Sequence, residues 1–139
     1  MIVTMESRHN CAVYRAAVAE VRARIARDAR QADGVIPVFL EVVALRFLEA
    51  EANVATITRE AGMHRNALHP GFNRIFGVTP WRYIRERRFE VARVLLRETD
   101  LHVWTVGCLV GYNDVRTFSR AFRQVVGATP SGQNDTNRP

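Results

Sequence analysis

Two stretches of this chain carry the same pattern of apolar residues and glycines, and they flank one uninterrupted amphipathic segment. Before that segment run Val54-x2-Ile57-x3-Ala61-Gly62, Leu68-x3-Phe72-x3-Phe76-Gly77 and Thr79-Pro80. After it run Val103-x2-Val106-x3-Val110-Gly111, Phe118-x3-Phe122-x3-Val126-Gly127 and Thr129-Pro130. The copies are offset by 49 residues, and by 50 beyond one extra residue between Gly111 and Phe118. Two copies are too few for a solenoid, which needs at least about three repeats. The pattern fits a duplicated supersecondary unit with a spacer, so the fold must place two similar pieces around one shared element.

The spacer, Thr79 to Asp100, reads as one long helix. Thr79 can accept backbone N–H bonds as a cap, and Pro80 suits the first helical position, where no donor is required. The next eighteen residues hold no Gly, Pro or Asn, and good helix formers dominate them. At 100° per residue Trp81, Ile84, Phe89, Ala92, Leu95 and Leu96 fall within an arc of about 140°. Arg82, Glu86, Glu90, Arg93 and Arg97 take the opposite side. Arg85 and Arg88 lie inside the apolar arc. Their stems can pack there while their heads reach solvent or an acidic partner, or the heads can reach a ligand phosphate.

Each copy reads as a helix-turn-helix. A short helix (about 55–61, and about 103–110) runs into a glycine able to take the left-handed turn conformation. A polar capping candidate follows, His64 in the first copy and Asn113 in the second. The second helix of each copy then shows an i, i+4, i+8 apolar stripe that packs inward and leaves its first turn pointing outward. A plain helical hairpin in a bundle would share much of this. The duplication and glycine placement argue for more.

On these residues the chain resembles a known family. Val54 to Pro130 is similar to the DNA-binding domain of AraC/XylS transcriptional regulators, which joins two helix-turn-helix units by a long helix. The matching motifs are GVTPWRYIRERRFEVARVLLRETDL (Gly77–Leu101) and GYNDVRTFSRAFRQVVGATP (Gly111–Pro130). With the helix before Val54 the resemblance covers residues 36–130. It implies an all-α fold with a first unit at 54–77, a linker helix at 80–98 and a second unit at 103–127. Residues 1–35 form an N-terminal extension outside the resemblance, and 131–139 form a tail without the aromatic and Arg usual there.

Charge placement supports a nucleic-acid partner. The chain has twenty Arg and no Lys. That preference reflects genome composition before function, so the location of the charge tells more. Residues 62–127 hold eleven Arg against five acids, whereas the rest of the chain holds nine of each. The whole formal charge of +6 therefore sits on the two units and their spacer, the electrostatic footprint of a nucleic-acid binder.

In a helix-turn-helix the first residues of the recognition helix meet base edges, while flanking groups hold phosphates. In the second copy Val115, Arg116, Thr117 and Arg120 project away from the Phe118/Phe122 stripe. Arg pairs bidentately with guanine, and Val or the Thr methyl can meet a thymine methyl. The resemblance implies that Arg116, Thr117 and Arg120 occupy DNA-contacting positions. In the first copy the matching residues are Arg65, Asn66, His69 and Pro70. An interior Pro costs about 3 kcal/mol and the adjacent Gly71 about 1, so a kinked or shortened helix is expected there. Arg65, Asn66 and His69 remain DNA-binding candidates.

The expected function is a sequence-specific double-stranded-DNA-binding transcriptional regulator reading two successive major-groove faces. The resemblance to short stand-alone members favours an activator that touches RNA polymerase; a fragment of a longer regulator is the other possibility. About 50 residues before the first unit cannot make the family's sensory barrel. The rival reading is a degenerate member acting as a protein-interaction module that pairs with another regulator. No enzyme is expected. His64 and His69 have no third ligand at metal spacing, and there is no phosphate loop, nucleophile elbow or carboxylate pair. No metal or cofactor is implied. Nor do the two cysteines suggest a disulfide framework: Cys11 and Cys108 are expected to be reduced, with Cys108 at a packed position. No apolar run is long enough to span a membrane, and no signal peptide is present, so a cytoplasmic bacterial protein, nucleoid-associated when bound, is expected.

Met1 to Asn10 lacks periodicity and is expected to fray. Cys11 to Arg30 places Tyr14, Val18, Val21 and Ile25 on one helical face and ends near Gly34. This helix can cover the domain, mediate association, leaving the chain a monomer or a weak dimer, or be a connector. Pro37 opens a further helix to about Ala50. The tail after Pro130 is expected to be disordered.

Overall fold

The computed structural model describes residues 5–135, all-α among the described residues. The helices are α1 (Met5–Arg30), α2 (Ile36–Arg46), α3 (Val54–Glu60), α4 (His69–Phe76), α5 (Pro80–Glu98), α6 (Val103–Leu109), α7 (Val115–Val126) and α8 (Pro130–Asp135). A short 3₁₀ turn, Arg65–Ala67, precedes α4.

Helix starts follow local chemistry. Thr79 Oγ1 accepts from the Arg82 amide at 3.2 Å, with Pro80 in the first turn of α5. At α3, Asn53 Oδ1 accepts from the Thr56 amide at 2.9 Å, and Thr56 Oγ1 accepts from the Asn53 amide at 3.1 Å. This reciprocal box satisfies two otherwise orphaned donors. Gly62 and Gly111 hold φ of +71° and +100° in the two turns, a region that costs other residues strain.

Two aromatic clusters form the core, one against each stretch of α5. Phe39, Phe72, Phe76 and Tyr83 meet with ring centroids 4.8–5.8 Å apart. Phe89, Tyr112, Phe118 and Phe122 form the second cluster at 5.4–6.1 Å. Burying each such ring stabilises the fold by about 1.5–3 kcal/mol. Because Tyr83 and Phe89 both belong to α5, the linker helix is the common floor of both units.

Burial on α5 is wider than the apolar arc predicts. Tyr83, Arg87 and Val91 are buried along with Ile84, Ala92 and Leu95, which extends the enclosed sector to about 240° at 100° per residue. The cause is α1, which packs along that side and buries Ala17, Val18, Val21 and Ile25. Tyr83 donates its hydroxyl to Asp28 Oδ2 at 2.6 Å, and burial, followed by this carboxylate, raises the phenol pKa well above its ordinary value. The Arg87 guanidinium lies 4.6 Å over the Tyr83 ring and 3.3 Å from Glu90 Oε1.

Several expectations are corrected. Met5 to Asn10 is helical rather than frayed. His9 Nε2 donates to the Glu98 carbonyl at 2.9 Å and Asn10 Nδ2 to Asp100 Oδ1 at 3.1 Å, so the C-terminal end of α5 holds this turn; Met1 to Thr4 lie outside the described residues. α2 ends at Arg46, not Ala50. The head of Arg88 reaches neither solvent, an acid nor an outside phosphate. It is buried and donates to the carbonyls of Phe47 and Glu49 at 2.6 Å and of Ala52 at 3.3 Å. Trp81, placed in the apolar arc, is 37% exposed, although its neighbours Pro80 and Tyr83 in the first turn of α5 are buried; the Arg88 guanidinium lies 5.6 Å from the centre of its ring. Cys108 is exposed, since Val106, Gly107 and Val110 supply the packed side of that segment. Asp114 rather than Asn113 caps α7. The tail continues as α8, packed on α5 with Pro130 buried; residues 136–139 lie outside the described residues.

Candidate nucleic-acid interface

α7 is built to present one polar face. Phe118 and Phe122 are fully buried, which turns the opposite side outward. On a 100° wheel Arg116, Thr117, Arg120, Arg123 and Gln124 fall within about 120° of one another, and all are exposed. Val115 departs from the expectation that it projects away from the Phe stripe: on the same wheel it lies about 80° outside this arc and about 20° from Phe122, and it is exposed because it stands at the first position of the helix. Asp114 caps the helix: its Oδ1 accepts from the Thr117 amide at 2.8 Å and its Oδ2 from the Thr117 hydroxyl at 2.7 Å. Those bonds, the hydroxyl's foremost, hold the Asp114 carboxyl below its usual range. They also fix the Thr117 side chain, leaving its methyl and a lone pair free for an outside partner.

The first unit differs as the Pro70-Gly71 pair suggests. The chain makes the 3₁₀ turn Arg65–Ala67 and restarts as α4 at His69, so Pro70 stands in the first turn of a new helix. There its missing donor is harmless, so the interior cost of about 3 kcal/mol does not arise. The result is an eight-residue helix against twelve in α7. His64 caps the 3₁₀ turn by accepting from the Asn66 amide through Nδ1 at 3.2 Å. Arg65, Asn66 and His69 are all exposed.

Thus all seven candidate residues are at the surface, in two sets on two units. The structure adds neighbours that periodicity passed over. Arg65 and His69 share a shallow cleft with Asn53, Thr79 and Trp81, beside the capped starts of α3 and α5. Asn66 does not line it. On α7, Arg120 shares a second cleft with Ser119, Arg123, Gln124 and Thr129, and Arg85 donates to Gln124 Oε1 at 3.2 Å. Trp81 was hidden by its place in the apolar arc. Arg123 and Gln124 were legible, since both lie on the same wheel sector as Arg120.

Among the described residues no three His, Cys, Asp or Glu side chains could together hold a metal, and no helix is long and apolar enough to cross a membrane.

Comparison with known proteins agrees with this architecture. A family model described as "Helix-turn-helix domain" matches residues 57–133, more than half of the chain. Transcriptional activator NphR of Rhodococcus sp is 35% identical over 89 residues, which cover 64% of this chain and 26% of NphR. Regulatory protein SoxS of Salmonella typhimurium is 31% identical over 84 residues, covering 60% of this chain and 78% of SoxS. The chain spans about a quarter of NphR and 42% of LumQ of Photobacterium leiognathi, a probable transcriptional regulator. Among solved structures, the DNA-binding domain of AdpA, determined with a target DNA, superposes with a TM-score of 0.63 at 25% identity, over 72% of this chain and 92% of that one. An AraC-type regulator from Chromobacterium violaceum superposes with a TM-score of 0.61 at 26% identity, over 74% and 95%. Two units on a shared linker helix, a family match across both and relatives that are regulators rather than enzymes lead to one assignment: the chain belongs to the AraC-type family of helix-turn-helix DNA-binding transcription regulators.

Proposed function

We propose that this protein binds double-stranded DNA sequence-specifically and activates transcription. α7 and the Arg65–His69 segment enter successive major-groove faces about one helical turn apart, roughly 10 bp between centres. The observation that carries this reading is the α7 face: Arg116, Thr117 and Arg120 exposed on one arc and backed by buried Phe118 and Phe122. Arg116 and Arg120 suit bidentate contacts to guanine. Thr117 offers its methyl group, and Val115 an apolar edge. Arg65, Asn66 and His69 make the contacts of the first unit, with Trp81 and the α5 start beside them. The activator role is supported by the name of NphR, a transcriptional activator. RNA polymerase is the partner such a role requires, and the cytoplasm, at the nucleoid when bound, is where it operates. The protein acts as a monomer or a weak dimer.

Selection of bound sites from a random duplex pool tests this directly, followed by affinity measurements against salt. With +6 on residues 62–127, four to seven neutralised phosphates give a log–log salt slope of about −4 to −6. A slope near zero, or a pool that yields no motif, rejects the proposal. Weak duplex binding together with a stable regulator partner would instead support the interaction-module reading.

A further inference from the structure

α1 begins well before the matched residues 57–133, yet it builds a concave surface with the linker helix. α1 and α5 enclose a cleft of about 340 Å³ with Ala17, Val21 and Val94 in its lining. Arg24 and Arg27 from α1 and Arg93 and Arg97 from α5 line it, together with Glu20 and Glu90. Glu90 is already engaged: Arg24 pairs with it, and Arg87 lies 3.3 Å away. Arg27, Arg93 and Arg97 have no hydrogen bond or ion pair with any described residue. Arg93 and Arg97 stand one turn apart on the same helix face, an arrangement that like charges disfavour. Several guanidinium groups converging on a concave, partly apolar surface focus positive potential there. Each offers the planar fork that fits an oxyanion bidentately.

We propose that this cleft binds a small molecule bearing two or more anionic oxyacid groups, phosphate or carboxylate, bridged between Arg27 and the Arg93/Arg97 pair. The volume suits a metabolite-sized ligand, since such sites run from about 300 Å³ upward. The site lies on a different sector of α5 from Trp81 and Arg85, so its occupant need not compete with the candidate DNA face. A bound anion cross-links α1 to the helix on which both units rest. The inference depends on the cleft alone and not on the proposed DNA contacts.

Isothermal titration of the full chain, at ionic strength held constant with sodium chloride, tests it with pyrophosphate and citrate as separate probes. The expected result is saturable one-to-one binding of at least one probe. Affinity should fall about tenfold or more in R93Q/R97Q, which removes two charge-assisted contacts. These side chains are exposed, and circular dichroism checks that the variant folds. A response to pyrophosphate alone identifies a phosphate ligand, and to citrate alone a carboxylate. Absence of saturable heat with both probes overturns the proposal, as does equal affinity in wild type and variant. If R93Q/R97Q instead loses duplex binding while its probe affinity is unchanged, the arginines serve the DNA backbone and the small-ligand site is rejected.

Discussion

The turn at Gly111 closes directly onto the guanidinium of Arg88. A Cβ at Gly111 would lie 3.0 Å from Arg88 Cζ and 3.0 Å from the Leu48 carbonyl oxygen, and φ there is +100°. Arg88 in turn donates to the carbonyls of Phe47, Glu49 and Ala52, in the segment that leads into the first unit. One side chain of the linker helix thus joins the entry of the first unit to the turn of the second. Gly111→Ala should destabilise the fold by about 1–3 kcal/mol through backbone strain alone, with the contact adding to it. Arg88→Ala should cost ~3 kcal/mol by leaving buried carbonyls unmatched. Arg88→Lys should rescue little, because a point charge cannot span the carbonyls that a planar fork reaches. Chemical denaturation of the three variants checks this ordering.

Gly71 offers a stabilising change. It sits in the first turn of α4, its φ is not positive, and a Cβ there would meet only the Ile36 Cδ1 atom at 3.4 Å. Gly71→Ala should therefore raise stability by about 0.5–1 kcal/mol, through the entropy that glycine loses on folding. A lowered denaturation midpoint would show that the Ile36 contact is tighter than it looks.

The Asp114 cap makes a pH prediction. Its carboxyl is held below the usual value, chiefly by the Thr117 hydroxyl and then by the Thr117 amide. A depressed folded pKa means that the stabilisation is fully present above the unfolded value, about 3.9, and is lost as pH falls through the folded one. Asp114→Asn keeps a capping oxygen but does not titrate. Thermal melts from neutral to acid pH should show the variant losing less stability than the wild type below about pH 4. Parallel curves would remove Asp114 as a source of acid sensitivity.

The two units should contribute unequally to base discrimination. Arg120 sits on an uninterrupted helix capped by Asp114, whereas Arg65 sits on a 3₁₀ turn beside two capped helix starts. Arg120→Ala should cost about 1–3 kcal/mol of specific affinity and blur one half of the selected motif. Arg65→Ala should weaken specific and non-specific duplexes alike. If Asn66→Ala erases base preference while Arg120→Ala leaves it intact, the assignment is reversed.

What the sequence by itself determined was local. Thr79-Pro80 starts α5 because a cap and an N-terminal proline act within one turn, and the spaced glycines end helices by a backbone preference that no neighbour can supply. The same locality made Pro70-Gly71 readable as an interruption, and the duplicated Phe stripes readable as inward faces. Which neighbour covers a face, and where a long side chain ends, only the tertiary structure decided. Periodicity placed Arg88 in the apolar arc, but its partners are carbonyls 36–41 residues away. It placed Trp81 on the same arc, yet packing leaves that ring 37% exposed. Nothing within α5 announces that α1 will enclose Tyr83 and Arg87, nor within the polar tail that α8 will dock on α5. Such contacts depend on surfaces brought together from distant parts of the chain. A wheel reports a direction around one helix, and the occupant of that direction belongs to the whole fold.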